Sequence, residues 1–193
     1  MLRPSTVLRA AGATFADRRE GLVGPFDFAL CAGEKLTLGA ASARAASIAA
    51  RMFAAIVKPT SGTIYVGEYD TRLQPPEAKR RLGFVDVGGF VGNAHTFCCE
   101  VAFRADVWNL DRASTLHRAQ AVLAALTGFD DTCARAIALA LVPGVELIVL
   151  DQPRTDAIDG IRGVAPAIAI LETRVARNVP FASLGPAPAP VPA

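Results

Sequence analysis

The segment from Leu36 to Gly62, LTLGAASARAASIAARMFAAIVKPTSG, most narrowly limits what this chain can fold into. It opens with a short apolar run, passes through a turn of small residues and continues as strong helix formers without proline or glycine. Pro59 and Gly62 then stop the helix. The segment predicts a strand, a tight turn and a helix, which is the arrangement in which phosphate-binding loops occur.

Further strands and helices alternate along the chain. FDFALCAG places Phe26, Phe28 and Leu30 on one face, which is typical of a half-exposed antiparallel strand. VELIVLDQP is a continuous apolar run of the kind found in buried parallel strands. We therefore predict an α/β fold with a mostly parallel sheet and a small antiparallel β lobe near the N-terminus.

The composition changes between Gly88 and Leu126, where helical spacing dominates and strand signals are few. We predict a reduced helical subdomain at roughly residues 92–135, within a single domain that covers residues 1–184. The end of that domain is predicted as a helix over DGIRGVAPAIAILETRVARN, followed by a last strand, VPFASLG. The Pro/Ala-rich residues 185–193 are predicted to form an extended tail.

Composition and charge exclude several classes of protein. An apolar fraction of 52% supports a packed core, and a formal net charge of +2 gives no sign of nucleic-acid binding. The four cysteines form no CxxC pair and the two histidines are too few to indicate a metal site, so reduced thiols in a cytosolic protein are the simpler interpretation. No segment has the about 20 mostly apolar residues that a membrane crossing needs.

The chain resembles the ATP-binding domain of ABC transporters in four stretches, which are FDFALCAGEKLTLGAASARAAS, IVKPTSGTIYVGEYD, RRLGFVDV and VELIVLDQPRTDAID. KPTSG and LIVLDQP in this order, about 90 residues apart, are a specific combination, and the similarity extends over nearly the whole chain. The resemblance implies an ABC-type P-loop NTPase fold. It also implies ATP and Mg²⁺ as the family's cofactors and a transport complex as its setting.

The residues that hold phosphate in this family are largely replaced here. The family uses a lysine to reach the β and γ phosphates and a hydroxyl to bind Mg²⁺. Gly39 matches the first glycine of its phosphate loop, whereas Ala45 falls on the lysine and Ala46 on the hydroxyl. Arg44 replaces a glycine. If the alignment with the family loop is shifted by one residue, Arg44 takes the place of the lysine, although a guanidinium lacks the compact ammonium of lysine. A similar shift places Ser47 at the position of the metal-binding hydroxyl.

Later positions depart from the family pattern in the same way. Val87 stands where the family has a glutamine that senses the γ phosphate. Asp151 keeps the carboxylate that supports Mg²⁺, but Gln152 replaces the general base, and an amide cannot accept a proton from the attacking water. Leu184 follows Ser183 where relatives end their last strand with Ser-His. The LSGGQ signature is either reduced to LTGFDD or deleted.

Two residues have both a functional and a structural interpretation. Phe15 falls where the family stacks an aromatic ring on adenine, and it is equally consistent with a side chain that covers the small β lobe. Asp159 matches the loop that faces the partner domain in the family dimer, and it is equally consistent with a solvated turn. The candidate nucleotide-binding residues are Phe15, Gly39, Arg44, Ser47 and Asp151, with Ser47 and Asp151 also as candidate metal ligands.

The sequence thus predicts a degenerate, non-hydrolysing ABC-type domain with a structural or regulatory role in a membrane transport complex. We expect no bound cofactor, and a cytoplasmic location at the inner face of the membrane through a partner. That partner is expected to be an active ABC ATPase subunit, a transmembrane permease subunit or both, in a hetero-oligomer. Two alternatives stay open. The chain is a residual ATP-binding subunit whose weak hydrolysis a partner completes, or a scaffold in a non-transport assembly that uses the Ala-rich helix from Ser42 to Val57 as its interface.

Overall fold

The computed structural model of the protein describes residues 5–86, 92–126, 130–142, 144–153 and 157–176, without the side chains of residues 157 and 159. The described part contains eight strands and six helices, arranged as two sheets with helices packed around them. In chain order the elements are β1 (Thr6–Asp17), β2 (Gly21–Cys31), β3 (Lys35–Ala40), α1 (Ala43–Phe53), β4 (Ser61–Val66), β5 (Tyr69–Asp70), α2 (Pro75–Arg80), β6 (Leu82–Val85), α3 (Ala94–Val107), α4 (Arg112–Ala125), α5 (Asp131–Leu141), β7 (Leu147–Asp151), α6 (Ala157–Val164) and β8 (Ala169–Val175).

A four-stranded parallel sheet lies at the centre, with the strand order β3-β8-β7-β6. All five residues of β7 are buried, because α1 packs on one face of the sheet and α5 and α6 pack on the other. A strand covered on both faces has no solvent-facing side, which explains the unbroken apolar run LIVL. The predicted parallel sheet is confirmed.

The N-terminal strands form a second, antiparallel sheet with the order β2-β1-β4-β5. Phe26 and Phe28 project from β2 onto α1, where their rings lie 5.2 and 5.3 Å from the ring of Phe53, measured between centroids. These contacts join the small lobe to the helix that also packs on the parallel sheet. The predicted β lobe and its one-sided alternation are confirmed.

The glycine of the KPTSG motif is required by the backbone of the lobe. Gly62 has a φ of 72°, and a Cβ at this position would lie 2.1 Å from the carbonyl oxygen of Gly12 on β1. Two residues earlier, the N–H of Thr60 donates to the carbonyl oxygen of Thr14 at 2.7 Å. The motif therefore lays β4 against β1, and its role in this chain is architectural.

Three helices lie between β6 and β7, in the region where the sequence predicted helices. Each begins with a side chain that accepts a hydrogen bond from a backbone N–H of its first turn: Asn93 for α3, Asp111 for α4 and Asp130 for α5. They pack around a small core of their own, in which Phe97 and Val101 are fully or almost fully buried. None of the described helices is long and apolar enough to cross a membrane.

The prediction of one helix over DGIRGVAPAIAILETRVARN is wrong. Helix α6 ends at Val164, and the chain re-enters the parallel sheet as β8, between β3 and β7. Pro166 interrupts the helical pattern, and burial between two strands then overrides the helix propensity of the segment that follows. The predicted last strand, VPFASLG, and the predicted tail lie outside the described residues.

Helix α1 is shorter and more deeply buried than the sequence predicts. It ends at Phe53 rather than near Val57, because Ala55 takes a left-handed conformation with a φ of 54°. Its alanine-rich face packs against the sheet, with Ala46 and Ala50 completely buried. The alternative hypothesis that this face serves as a free interface is therefore contradicted.

Candidate functional site

The predicted phosphate loop is a very short connection. Only Ala41 and Ser42 lie between the end of β3 and the start of α1. Gly39 belongs to β3 itself, where it pairs with Arg174 of β8. Phosphate loops present several successive backbone N–H groups to their anion, and a connection of two residues offers fewer of them.

Ser42 uses the first donors of α1 within the chain. Its hydroxyl oxygen accepts a hydrogen bond from the N–H of Ala45 at 3.0 Å, and its carbonyl oxygen accepts one from the N–H of Ala46, also at 3.0 Å. The same hydroxyl donates to Glu20 Oε2 at 2.6 Å. A carboxylate therefore lies at the positive end of this helix, where an anion is favoured.

Arg44 is directed towards the turn between β1 and β2. Its Nε donates to Asp17 Oδ1 at 3.1 Å and its Nη2 donates to Oδ2 at 2.8 Å. Asp17 also accepts hydrogen bonds from the backbone N–H groups of Arg19 and Glu20. The guanidinium and then these two N–H groups hold the pKa of Asp17 well below its usual range. Arg44 is thus bound by a carboxylate and does not take the place of the missing lysine.

The two candidate metal ligands are hydrogen-bonded to each other. The Ser47 hydroxyl, on α1, donates directly to Asp151 Oδ2 at the end of β7. Asp151 is only 1% exposed, and its other oxygen, Oδ1, accepts a hydrogen bond from the Gln152 amide at 3.3 Å. Thr173 lies opposite Asp151 on β8, and its buried hydroxyl has no hydrogen-bond partner in the described part of the chain.

Gln152 connects the end of β7 to the start of α1. Its side-chain Nε2 donates to the carbonyl oxygen of Ala43 at 3.1 Å, and its backbone N–H donates to the carbonyl oxygen of Thr173 at 3.0 Å. A glutamate here would have no amide hydrogen to donate to Ala43, and it would place a second carboxylate beside Asp151. The amide is therefore the group that suits this position as a structural link.

The described residues do not fit a Mg²⁺–nucleotide complex. Ala45 and Ala46 are buried methyl groups that offer neither an ammonium nor a hydroxyl. The hydroxyl of Ser47 and the carboxylate of Asp151 are bonded to each other, and the carboxylate of Glu20 lies at the start of α1. Within the described ranges, no group of three His, Cys, Asp or Glu side chains could hold a metal ion.

The structure describes some of the remaining predicted site residues and leaves others outside the described ranges. Phe15 is half-buried, pairs with Val23 on β2 and packs against the core of the small lobe, which favours its structural interpretation. Asp159 lies in α6, but its side chain is not among the described atoms. Val87 and Leu184 lie outside the described residues, as do residues 127–129 of the predicted signature. The roles of these positions stay predictions.

Glu172 is a buried carboxylate that the sequence analysis missed. It is 2% exposed and accepts hydrogen bonds from Thr37 and from Arg174, and it forms an ion pair with Lys35 at 3.2 Å. Burial raises the pKa of Glu172, but the hydrogen bonds from Thr37, Arg174 and Lys35 outweigh burial and bring the pKa below its ordinary value. This cluster joins the edge strand β3 to β8.

Arg174 follows Thr173 near the end of β8, beside the strand that carries Asp151. The guanidinium of Arg174 is directed to Glu172, with its Nε at 3.2 Å and its Nη2 at 3.1 Å from Oε2.

An open groove lies between the parallel sheet and the helices that precede β7. Its volume is about 210 Å³, and it is bounded by β6, by the C-terminal half of α3 and by the residues after α1. We call it the α3 groove. Gly83 forms its floor, where a Cβ would lie 2.4 Å from the carbonyl oxygen of Ala140 on α5. The lining side chains include Ile56, Lys79, Phe84, Arg104 and Trp108.

No protein-family model and no curated protein matches this chain. Solved structures do match. An ATP-binding subunit of an ABC transporter superposes with a TM-score of 0.70 at 16% identity, over 88% of this chain and 80% of that one. CbiO1 from Clostridium perfringens, part of the ABC transporter complex CbiONQ, gives 0.65 at 16% identity, over 88% and 78%. A bacterial Atm1-family ABC exporter with ATP bound gives 0.64 at 19%, over 91% of this chain and 35% of the exporter.

Proposed function

We propose that this chain, whose fold is that of the ATP-binding subunits of ABC transporters, is a non-hydrolysing subunit of a membrane transport complex. The observation that carries the proposal is the pair of buried methyl groups of Ala45 and Ala46 on α1, where the family has a lysine and a hydroxyl. In the family a hydroxyl and an aspartate face a Mg²⁺ ion. Here Ser47 and Asp151 are hydrogen-bonded to each other and join α1 to β7.

The position of the general base supports the same proposal. Hydrolysis needs a group that accepts a proton from the attacking water, and an amide cannot do so. The amide of Gln152 donates instead to the backbone of Ala43. Ala45 and Ala46 supply neither charge nor a hydroxyl, and their neighbours on α1, Arg44 and Ser47, are bonded to Asp17 and Asp151.

The purified chain is expected to show no thermal stabilisation by millimolar Mg-ATP and no release of phosphate. A ligand present at a hundredfold excess over its Kd stabilises a folded protein by about 2.7 kcal/mol, which a thermal unfolding experiment detects readily. The Atm1-family ABC exporter, whose structure has ATP bound, provides the positive control. Mg²⁺-dependent phosphate release that disappears in Asp151→Ala would contradict the proposal, and a thermal shift without release would support residual ATP binding instead.

The α3 groove supports a membrane partner for this chain. Phe103 and Val107, four residues apart on α3, are exposed, and each directly precedes a residue that lines the groove. Ile56, which lines the groove itself, is also exposed. Lys79 and Arg80 add positive charge at the rim, and Arg80 lies 5.6 Å from the centre of the Trp108 ring. Such a surface suits an amphipathic helix with carboxylates at its edge, and the resemblance implies a cytoplasmic helix of a permease.

A photoreactive phenylalanine analogue at position 103 is expected to crosslink to a membrane-spanning protein in the native cells. Leu22 supplies a matched control, because it is 62% exposed against 61% for Phe103 and lies on the small lobe. Mass spectrometry of the crosslinked bands identifies the partner. Equal crosslinking from both positions, or crosslinks from position 103 to soluble proteins alone, would argue against a permease at the groove.

A further inference from the structure

The start of α1 carries an unusual distribution of charge. The first turn of the helix contains no acidic residue and it does contain Arg44, although the N-terminal end of a helix already bears a partial positive charge. The balancing charges come from another part of the chain. They are the carboxylates of Asp17 and Glu20, in the turn between β1 and β2. We call residues 17–20 the acidic turn.

We infer that the acidic turn is an internal occupant of the anion position at the start of α1 and keeps it closed to phosphate-bearing ligands. Glu20 Oε2 accepts the hydroxyl hydrogen of Ser42, the residue that caps α1, at 2.6 Å. Asp17 holds the guanidinium of Arg44 through both of its oxygens. The inference rests on the proposed loss of nucleotide binding and names the groups that enforce it.

The acidic turn is rigidly organised for this contact. Asp17 accepts two guanidinium hydrogen bonds and two backbone N–H hydrogen bonds, and its side chain is only 11% exposed. One of those N–H groups belongs to Glu20. The contacts that fix Asp17 therefore also fix the position from which Glu20 reaches Ser42, so the two carboxylates act together.

A phosphate group at the start of α1 would need the donors that the acidic turn already uses. Those donors are the Ser42 hydroxyl and the Arg44 guanidinium, and an incoming anion would also meet the negative charges of Asp17 and Glu20. The negative charges of the anion and of the two carboxylates would repel each other, and the anion would gain no additional hydrogen-bond donor. A phosphate-bearing ligand would have to displace the turn before it could bind.

Inorganic tripolyphosphate, without Mg²⁺, tests this inference on the full chain by calorimetry and thermal unfolding. The wild-type chain is expected to show no binding. The variant Asp17→Asn/Glu20→Gln, which retains neutral hydrogen-bonding groups, is expected to bind tripolyphosphate with an affinity at least tenfold above the limit that the experiment sets for the wild type. The control variant Glu68→Gln/Glu77→Gln also removes two negative charges, but from exposed positions elsewhere, and is expected to behave like the wild type. Equal binding by both double variants, or none by a folded Asp17→Asn/Glu20→Gln chain, would overturn the inference.

A second measurement covers the case in which the double variant does not fold. The single variant Glu20→Gln is compared with wild type in sodium phosphate and in sodium chloride at equal ionic strength. Phosphate is expected to raise the Tm of the variant more than that of wild type, because it takes the position that Glu20 has left. Equal shifts would overturn the inference while leaving the absence of Mg-ATP turnover, and with it the proposed function, intact.

Discussion

Replacing Lys35 and Arg174 together by alanine is expected to lower the free energy of unfolding by about 3 kcal/mol at pH 7. Both cations contact the carboxylate of Glu172, which is 2% exposed, so their removal leaves a buried charge whose one remaining partner among the described residues is Thr37. Breaking a buried ion pair costs about 3 to 5 kcal/mol. The lower end applies here, because the side chains of Lys35 and Arg174 are themselves 31% and 34% exposed.

The pH dependence of this effect has a definite sign. In the wild type the pKa of Glu172 lies below its ordinary value, so its contribution to stability is complete above that value and is lost only as the pH falls through the folded-state pKa. In the double variant two of the three partners that lower the pKa of Glu172 are gone, and burial raises this pKa against Thr37 alone. The free energy of unfolding of the variant should therefore increase as the pH falls from 7 to about 5. Over the same pH range, Glu172 of the wild type does not change the free energy of unfolding.

Urea unfolding at pH 7 and pH 5 measures both effects. The triple variant Lys35→Ala/Arg174→Ala/Glu172→Gln is the matched control, since its neutral amide removes the buried charge and should recover part of the stability and abolish the pH dependence. A loss below about 1 kcal/mol at both pH values would show that the cluster behaves as a solvent-exposed ion pair.

The sequence was a good guide to the scaffold because its strongest signals are periodic and local. The alternation of Phe26, Phe28 and Leu30 and the apolar run at β7 each depend on neighbours in the chain, and both strands are present as predicted. The failure came at β8, where the segment was predicted as a continuation of a helix. The strand there depends on burial between β3 and β7 and on the contacts of Glu172 with Lys35 and Thr37, which come from another part of the chain.

The sequence alone showed which functional residues the candidate site lacks, but it did not show which contacts have replaced them. Ala45, Ala46 and Gln152 could be recognised as losses from the order of residues alone. Their replacements could not, because the contacts of Asp17 and Glu20 with α1 join residues more than 20 positions apart. The signal available was the charged sequence DRRE between two strands, which also reads as an ordinary solvated turn.

Replacing Ser47 by alanine is expected to lower the free energy of unfolding by about 2 kcal/mol, whether or not Mg²⁺ is present. The substitution leaves the buried carboxylate of Asp151 with the amide of Gln152 as its neighbouring donor, at 3.3 Å. A buried charged group that loses a hydrogen-bond partner keeps its desolvation penalty, which explains the size of the effect. Thermal and urea unfolding of Ser47→Ala, with and without Mg²⁺, measure it.

A double-mutant cycle with Asp151→Asn, measured with and without Mg²⁺, separates the two possible roles of this pair. If the pair is a structural link, Ser47→Ala costs less when it is combined with Asp151→Asn than when it is made alone, with or without Mg²⁺, because a neutral amide is easier to leave unpaired than a carboxylate. If Ser47 and Asp151 instead bind Mg²⁺, the ion stabilises the wild type and each single substitution removes that stabilisation, so the coupling grows when Mg²⁺ is added. The first result would mean that the two residues expected as metal ligands from the resemblance serve in this chain as a contact between α1 and β7.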